Sequence, residues 1–244
     1  MKKYLVHNGN LICRPNNEYV YRTYTSPVPS DTKFIYLAND FNGTEIPNKV
    51  TTGTDMGSYE AIGAITKNGT GDSCYLSNSL STSNYLKIIL SLDTLNLMKA
   101  NTNTFTYYVR VMCPTSSGLG GIISWRSGTS TGGSNYCYMI RSNNKKLQIH
   151  FGSGIDTNLS LEIDTVYKIK FSGNNYTITD LINGNTYTGL NSNTRGMSTY
   201  MTSFWAGSGG ESLLDRFYGI AGVARETTSE EDTLMKNILM NQSI

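Results

Sequence analysis

Apolar and polar residues alternate with a period of two along much of this chain. In Phe105–Met112, Phe105, Tyr107, Val109 and Val111 share one parity, and Thr106, Tyr108 and Arg110 share the other. Leu147, Ile149 and Phe151 alternate with Gln148 and His150, and Tyr167, Ile169 and Phe171 alternate with Lys168 and Lys170. Successive side chains of a strand point to opposite faces, so each segment predicts a strand with one apolar face. Further strands are predicted at Phe34–Leu37, Tyr85–Leu90, Gly120–Trp125, Tyr136–Arg141 and Tyr176–Thr179. Turn sequences separate them, among them Ser142-Asn-Asn, Gly173-Asn-Asn and Asn183-Gly184-Asn185. The shared parity places Phe105, Val109, Ile149, Ile169, Phe171 and Ile178 in the core.

Two helical segments fit the remaining pattern, one near Asp93–Met98 and one from Ser229 to about Leu239. Thr228 and Glu231 have the spacing of a capping box, which starts the second helix there. Just before it, Gly219 and Gly222 interrupt a strand pattern, a sign of a bulge or of tight packing against another backbone. No repeat of 20–50 residues is visible, which disfavours a propeller or solenoid.

Residues 1–30 differ from the rest. Tyr4–His7 and Asn10–Cys13 flank Asn8-Gly9, the two-residue turn of a tight hairpin. A tyrosine-rich extended piece, Glu18–Thr25, then runs into Pro27 and Pro29. Each proline biases its predecessor to extended backbone, so this stretch reads as a linker. The expected organisation is therefore an arm over 1–30 and a single large domain over 31–244. The arm either adds strands to that domain or anchors the chain to sister subunits or a particle.

Composition narrows the class. Charged residues make up 16% of the 244 residues, and the net charge of +2 is too small for a nucleic-acid surface. No apolar run is long enough to span a membrane. His7-Asn8-Gly9-Asn10 breaks the first apolar stretch before it reaches signal-peptide length. Cys13, Cys74, Cys113 and Cys137 are widely spaced, which disfavours a zinc site and suggests free, mostly buried thiols.

The segment Phe34-Ile-Tyr-Leu-Ala-Asn-Asp-Phe-Asn-Gly43 resembles the opening strand of laminin-G-like, concanavalin A-like jelly-roll domains. Phe105-Thr-Tyr-Tyr-Val-Arg-Val111, Gly120–Ser124, the Asn183-Gly184 hairpin and the glycine-containing last strand with its helix follow in the family's order. The resemblance covers about residues 31–240. It implies an all-β, two-sheet antiparallel jelly-roll β-sandwich with a short C-terminal helix, preceded here by the N-terminal hairpin arm. Domains of this kind mostly bind glycans or mediate adhesion, and less often cut glycans. Fold alone does not choose between these uses.

Glu162-Ile163-Asp164 is similar to the catalytic strand of laminarinase-type glucanases on this fold. Those enzymes carry a second Glu four or five residues after the first, and a retaining mechanism needs the two carboxyls about 5–5.5 Å apart. Here those positions are Val166 and Tyr167, so the acid/base is missing and no catalytic residue is assigned. His7 and His150 are the only histidines, and no Gly-x-Ser-x-Gly elbow is present. No metal site or cofactor is assigned. Calcium is the one candidate, through loop residues Asp40, Asp55 and Asp72, which form no Asp-x-Asp-x-Asp cluster.

The candidate glycan-binding face is the polar parity of the strands: Tyr108, Arg110, Gln148, His150, Lys168 and Lys170. Trp125 and Trp205 are candidates for stacking on sugar rings. The first functional expectation is a non-enzymatic structural or adhesion protein of a larger assembly, namely a bacteriophage head fibre, decoration protein or tail adhesin on the virion surface, made in the host cytoplasm. Its expected partners are other virion subunits through the N-terminal arm, sister copies in a homo-oligomer, and a host-surface glycan. The alternatives are a free-standing bacterial carbohydrate-binding module and, last, a glycoside hydrolase.

Overall fold

The computed structural model describes residues 28–81, 83–98, 103–115, 119–124, 139–150, 154–173, 175–190, 200–203 and 215–244, with two short strands at 5–7 and 10–12. Those two strands, β1 (Leu5–His7) and β2 (Asn10–Ile12), pair antiparallel with His7 opposite Asn10, the register the Asn8-Gly9 turn predicts. The extended piece at Glu18–Thr25 lies outside the described residues.

The chain then runs through β3 (Thr32–Leu37), β4 (Glu45–Ile46), β5 (Tyr59–Ile62), β6 (Thr66–Asn68), β7 (Tyr75–Ser77) and β8 (Tyr85–Ile89) to helix α1 (Leu92–Met98). There follow β9 (Thr104–Met112), β10 (Gly120–Ser124), β11 (Met139–Asn143), β12 (Lys146–His150), β13 (Gly154–Ser160), β14 (Val166–Ser172), β15 (Asn175–Asp180), β16 (Thr186–Leu190), β17 (Tyr200–Ser203), β18 (Arg216–Val223) and helix α2 (Ser229–Asn241). Among the described residues these strands form two large antiparallel sheets. Sheet I has the order β13-β12-β11-β10-β17-β8-β5-β4. Sheet II has the order β16-β15-β14-β9-β18-β7-β6, with β3 also paired to β18. The result is an all-β jelly-roll sandwich.

Period two decides what lies between the sheets. Phe105, Tyr107, Val109, Ile169, Phe171 and Ile178 of sheet II meet Ile140, Leu147, Ile149, Leu86 and Met201 of sheet I in one fully buried core. All six residues assigned to the core by parity are there. Aromatic rings dominate the sheet II side, with Phe105 and Tyr107 4.6 Å apart and Tyr107 edge-on to Phe171 at 5.9 Å. Two of the buried tyrosine hydroxyls have partners: Tyr36 donates to the Gly57 carbonyl at 2.7 Å, and Tyr59 pairs with Ser203 at 2.7 Å.

Gly222 shows why the last strand needs glycine. A Cβ there would lie 2.4 Å from the Phe34 ring and 2.8 Å from the Phe105 ring. At Gly219 it would lie 2.7 Å from the Tyr36 carbonyl oxygen. The short side chains let β18 sit between β3 and β9.

The capping box forms as expected. The Thr228 hydroxyl accepts from the Glu231 amide at 3.3 Å, and the Glu231 carboxylate accepts from the Thr228 amide at 3.0 Å. Met235, Ile238 and Leu239 form the apolar stripe of α2. They pack on the outer face of sheet II against Ile35, Leu37, Tyr108, Val166, Ala221 and Val223, a second core outside the sandwich. Consequently β9 is buried on both faces, not on one. Cys74 and Cys113 are buried and form no disulfide among the described residues, and burial pushes the Cys113 thiol up to about 11. Cys13 and Cys137 lie outside the described residues. No described helix is long and apolar enough to cross a membrane.

Candidate functional site

The structure divides the expected polar face between two sheets. Tyr108 and Arg110 on β9 and Lys168 and Lys170 on β14 are neighbours, with Lys168 opposite Tyr108. Gln148 and His150 lie on β12, in sheet I. These residues therefore do not form one surface. Alternation along a strand says which residues share a face of that strand, but not which sheet the strand joins. Trp125 and Trp205 and the His150 side chain lie outside the described residues.

The sheet II group anchors α2. Tyr108 is fully buried, and its hydroxyl donates to Asp232 at 2.5 Å in the first turn of the helix. Lys168 donates to the other oxygen of Asp232 at 2.7 Å. Desolvation, then the Asp232 carboxylate, raises the Tyr108 phenol well above its usual range, so it stays a donor at every physiological pH. Lys170 reaches Glu226 at 2.6 Å at the edge of this group.

Arg110 is 3% exposed and holds the other end of the helix. Its Nε and Nη2 form a bidentate pair with Asp164 at 2.8 and 2.6 Å. Its Nη1 donates to the carbonyls of Asp72, Leu239 and Met240 at 2.7, 3.1 and 3.0 Å. The last two are terminal carbonyls of α2, where a cation also complements the helix dipole. The guanidinium lies 4.3 Å from the centre of the Tyr218 ring.

In sheet I, Gln148 faces away from the core and is 4% exposed. It accepts from Arg141 Nε and donates to Asp156 at 2.5 Å, and Asn143 donates to the same carboxylate oxygen at 2.9 Å. Hydrogen bonds from Asn143 and Gln148 hold the Asp156 carboxyl below the usual range. This is a polar line across β11, β12 and β13.

Glu162 and Asp164 sit in a bend between β13 and β14, not on a strand. Glu162 pairs with Lys145 at 3.0 Å and Asp164 with Arg110, while Val166 and Tyr167 are buried. The calcium candidates are engaged separately. Asp40 pairs with Lys49 at 2.9 Å, the Asp55 carboxylate accepts from the hydroxyls of Ser91 and Thr94 beside α1, and Asp72 offers its carbonyl to Arg110. No group of three or more acidic, His or Cys residues suited to a metal occurs among the described residues.

A concavity of about 210 Å³ lies elsewhere, where β7, the end of β9 and the start of β18 meet. Tyr75, Asn78, Leu80, Thr115, Asp215 and Arg216 line it. Three distant segments converge because β18 places Phe217 beside Leu76 and Arg216 beside Met112. Nothing in the sequence pattern singles these residues out. Their spacing carries no motif, and only the strand order brings them together.

No known protein-family profile matches the chain, and no curated protein matches it in sequence. Solved structures do share its fold. The binding domain of Paraclostridial Mosquitocidal Protein 1 superposes with a TM-score of 0.58 at 12% identity, over 87% of this chain and 52% of that one. The binding domain of botulinum neurotoxin DC in complex with SialylT gives 0.54 at 13% identity, over 86% and 52%. A Trypanosoma rangeli sialidase in complex with sialic acid gives 0.58 at 8% identity, over 89% and 34%. The chain spans about half the length of these toxin domains, and the likeness establishes a β-sandwich fold shared with toxin binding domains and a sialidase.

Proposed function

We propose that this chain is a non-enzymatic β-sandwich module that binds a glycan and serves adhesion or structure in a larger assembly, of the laminin-G-like kind carried by bacteriophage fibres, decoration proteins and tail adhesins. The observation that carries the non-enzymatic reading is the state of Glu162 and Asp164. Both carboxylates are committed to ion pairs in a bend, and the next two positions of the glucanase pattern are a buried Val166 and a buried Tyr167. Neither can protonate a glycosidic oxygen at neutral pH. The glycan reading is supported by the sandwich fold shared with toxin binding domains, one of them solved with SialylT. The particle reading is supported by the low charge and the Asn-, Thr- and Tyr-rich composition, together with a hairpin whose two strands pair with each other. A two-stranded hairpin is marginal in water and needs a surface, which a sister subunit or a particle supplies.

The likeness to bacterial toxin binding domains favours one second reading, a bacterial carbohydrate-binding module. A glycan array combined with a reducing-sugar assay tests the core of the proposal. Binding without turnover is expected, and sugar release that vanishes in Glu162→Gln would refute it. Deleting residues 1–26 separates the two readings of context. Loss of oligomeric mass or particle association, measured by light scattering and co-purification, supports the assembly. An unchanged mass supports the free module.

A further inference from the structure

The structure assigns a ligand class to the concavity at the β7–β18 junction: we infer that it binds a single neutral hexopyranose ring. The inference rests on the glycan-binding reading above and goes beyond it by naming the site and the charge of the sugar. A volume of about 210 Å³ is smaller than the roughly 300–1,000 Å³ of clefts that take drug-sized ligands, which matches a single ring.

The lining carries what a sugar ring needs. Leu80 is 46% exposed and supplies apolar surface for the ring's C–H face, beside the half-buried Tyr75, which packs on Tyr218 at 5.7 Å. Arg216 stacks over Tyr75, 5.0 Å from the ring centre, and contacts the Tyr218 hydroxyl. Arg216 lines the concavity beside Asp215 and brings the donors of its planar fork to it. Asp215 brings acceptor oxygens and is held in place by the Thr115 amide and hydroxyl at 2.7 and 2.8 Å.

Charge selects among sugars. Among the described residues, Arg216 and Asp215 are the charged side chains of the lining, and they are opposite in sign. An acidic sugar would gain from Arg216 but be repelled by Asp215, and would still lose the hydration of its carboxylate. A neutral ring, whose hydroxyls both donate and accept, satisfies both groups. The site therefore favours a neutral hexose over a sialic acid or a uronate.

The turn carrying Leu80 is built at a conformational cost. Ser79 and Leu80 both have left-handed backbone, at φ +53° and +54°, an uncommon state for a bulky residue. The fully buried Asn78 enforces it, donating to the carbonyls of Ser81 and Asn84 at 3.0 and 2.9 Å and accepting from the Leu80 amide at 3.0 Å. Glycine would fit this backbone better, so Leu80→Gly removes the apolar side chain without straining the turn.

The test is NMR titration of the full chain with methyl hexopyranosides of glucose, galactose and mannose, and with N-acetylneuraminic and glucuronic acids. At least one neutral glycoside should bind at about millimolar Kd and shift resonances of Tyr75, Leu80 and Thr115, with both acids at least about tenfold weaker. Asp215→Asn and Arg216→Gln should each weaken the neutral sugar about tenfold. Leu80→Gly should weaken it while leaving Tm unchanged or higher, which a purely structural Leu80 would not do. Acids binding as tightly as neutral rings, or folded Asp215→Asn and Leu80→Gly proteins binding like the parent, overturn the assignment. If arrayed glycans bind but these variants change nothing, only this site fails. If no glycan binds at all, the functional reading fails with it.

Discussion

Replacing Arg110 with Met should be among the most damaging single changes outside the apolar core. Arg110 is 3% exposed and joins Asp164, Asp72 and the last turn of α2 through the five contacts described above. Removing one partner of a buried ion pair typically costs about 3–5 kcal/mol, because the other charge is left without compensation. Asp164 retains 35% side-chain exposure, so it rehydrates in part and the ion-pair contribution falls toward the low end. The terminal carbonyls of Leu239 and Met240 lose their donor as well, a further penalty of order 1 kcal/mol. The expected loss is about 3–4 kcal/mol. At roughly 2–4 °C per kcal/mol for a chain of this size, Tm should fall by about 10 °C in calorimetry at neutral pH. Arg110→Lys, which keeps the charge but not the planar fork, should fall between parent and Met variant. Asp164→Asn leaves the buried Arg110 charge without its counter-ion while keeping one acceptor oxygen, and should cost about 3 kcal/mol. Hydrogen exchange should report the cause, with the C-terminal amides of α2 losing protection before those of β9. A Met variant melting within a degree of the parent would refute the reasoning.

Other perturbations probe different parts of the frame. Ile169→Ala removes a fully buried side chain from between the sheets and should cost about 2–5 kcal/mol in denaturant unfolding. Gly222→Ala drives a methyl group into the Phe34 and Phe105 rings, and should cost about 1–3 kcal/mol or more although nothing is removed. Glu231, held by Arg225 and by its cap on the Thr228 amide, has its carboxyl lowered to about 2. The folded form therefore binds its proton less readily than the unfolded chain, and the stabilisation is present above the ordinary carboxylate range and lost as pH falls toward 2. Melts between pH 6 and 2 should show a smaller acid loss for Glu231→Gln than for the parent.

The alternation in β9, β12 and β14 is a local property of backbone geometry, and it was enough to identify Phe105, Val109, Ile149, Ile169 and Phe171 as core, while the two-sheet arrangement was what the family resemblance implied. The start of α2 was equally legible, because Thr228 and Glu231 satisfy each other within one turn, and so was the need for glycine at 222 in a crowded strand. The short strands β4 to β7 escaped notice since they are too brief to show a period. What covers each outer face is decided by contacts between residues far apart in the chain. A polar parity reads the same whether water or a helix lies over it, so Tyr108, Arg110 and Lys168 look like a binding surface in sequence. They became the mount for α2 only when Met235, Ile238 and Leu239 folded down on them. The same holds for Gln148, whose strand joined sheet I and not sheet II. The concavity of Tyr75, Leu80, Asp215 and Arg216 is wholly a product of strand order, since its residues come from three separated segments and carry no shared pattern.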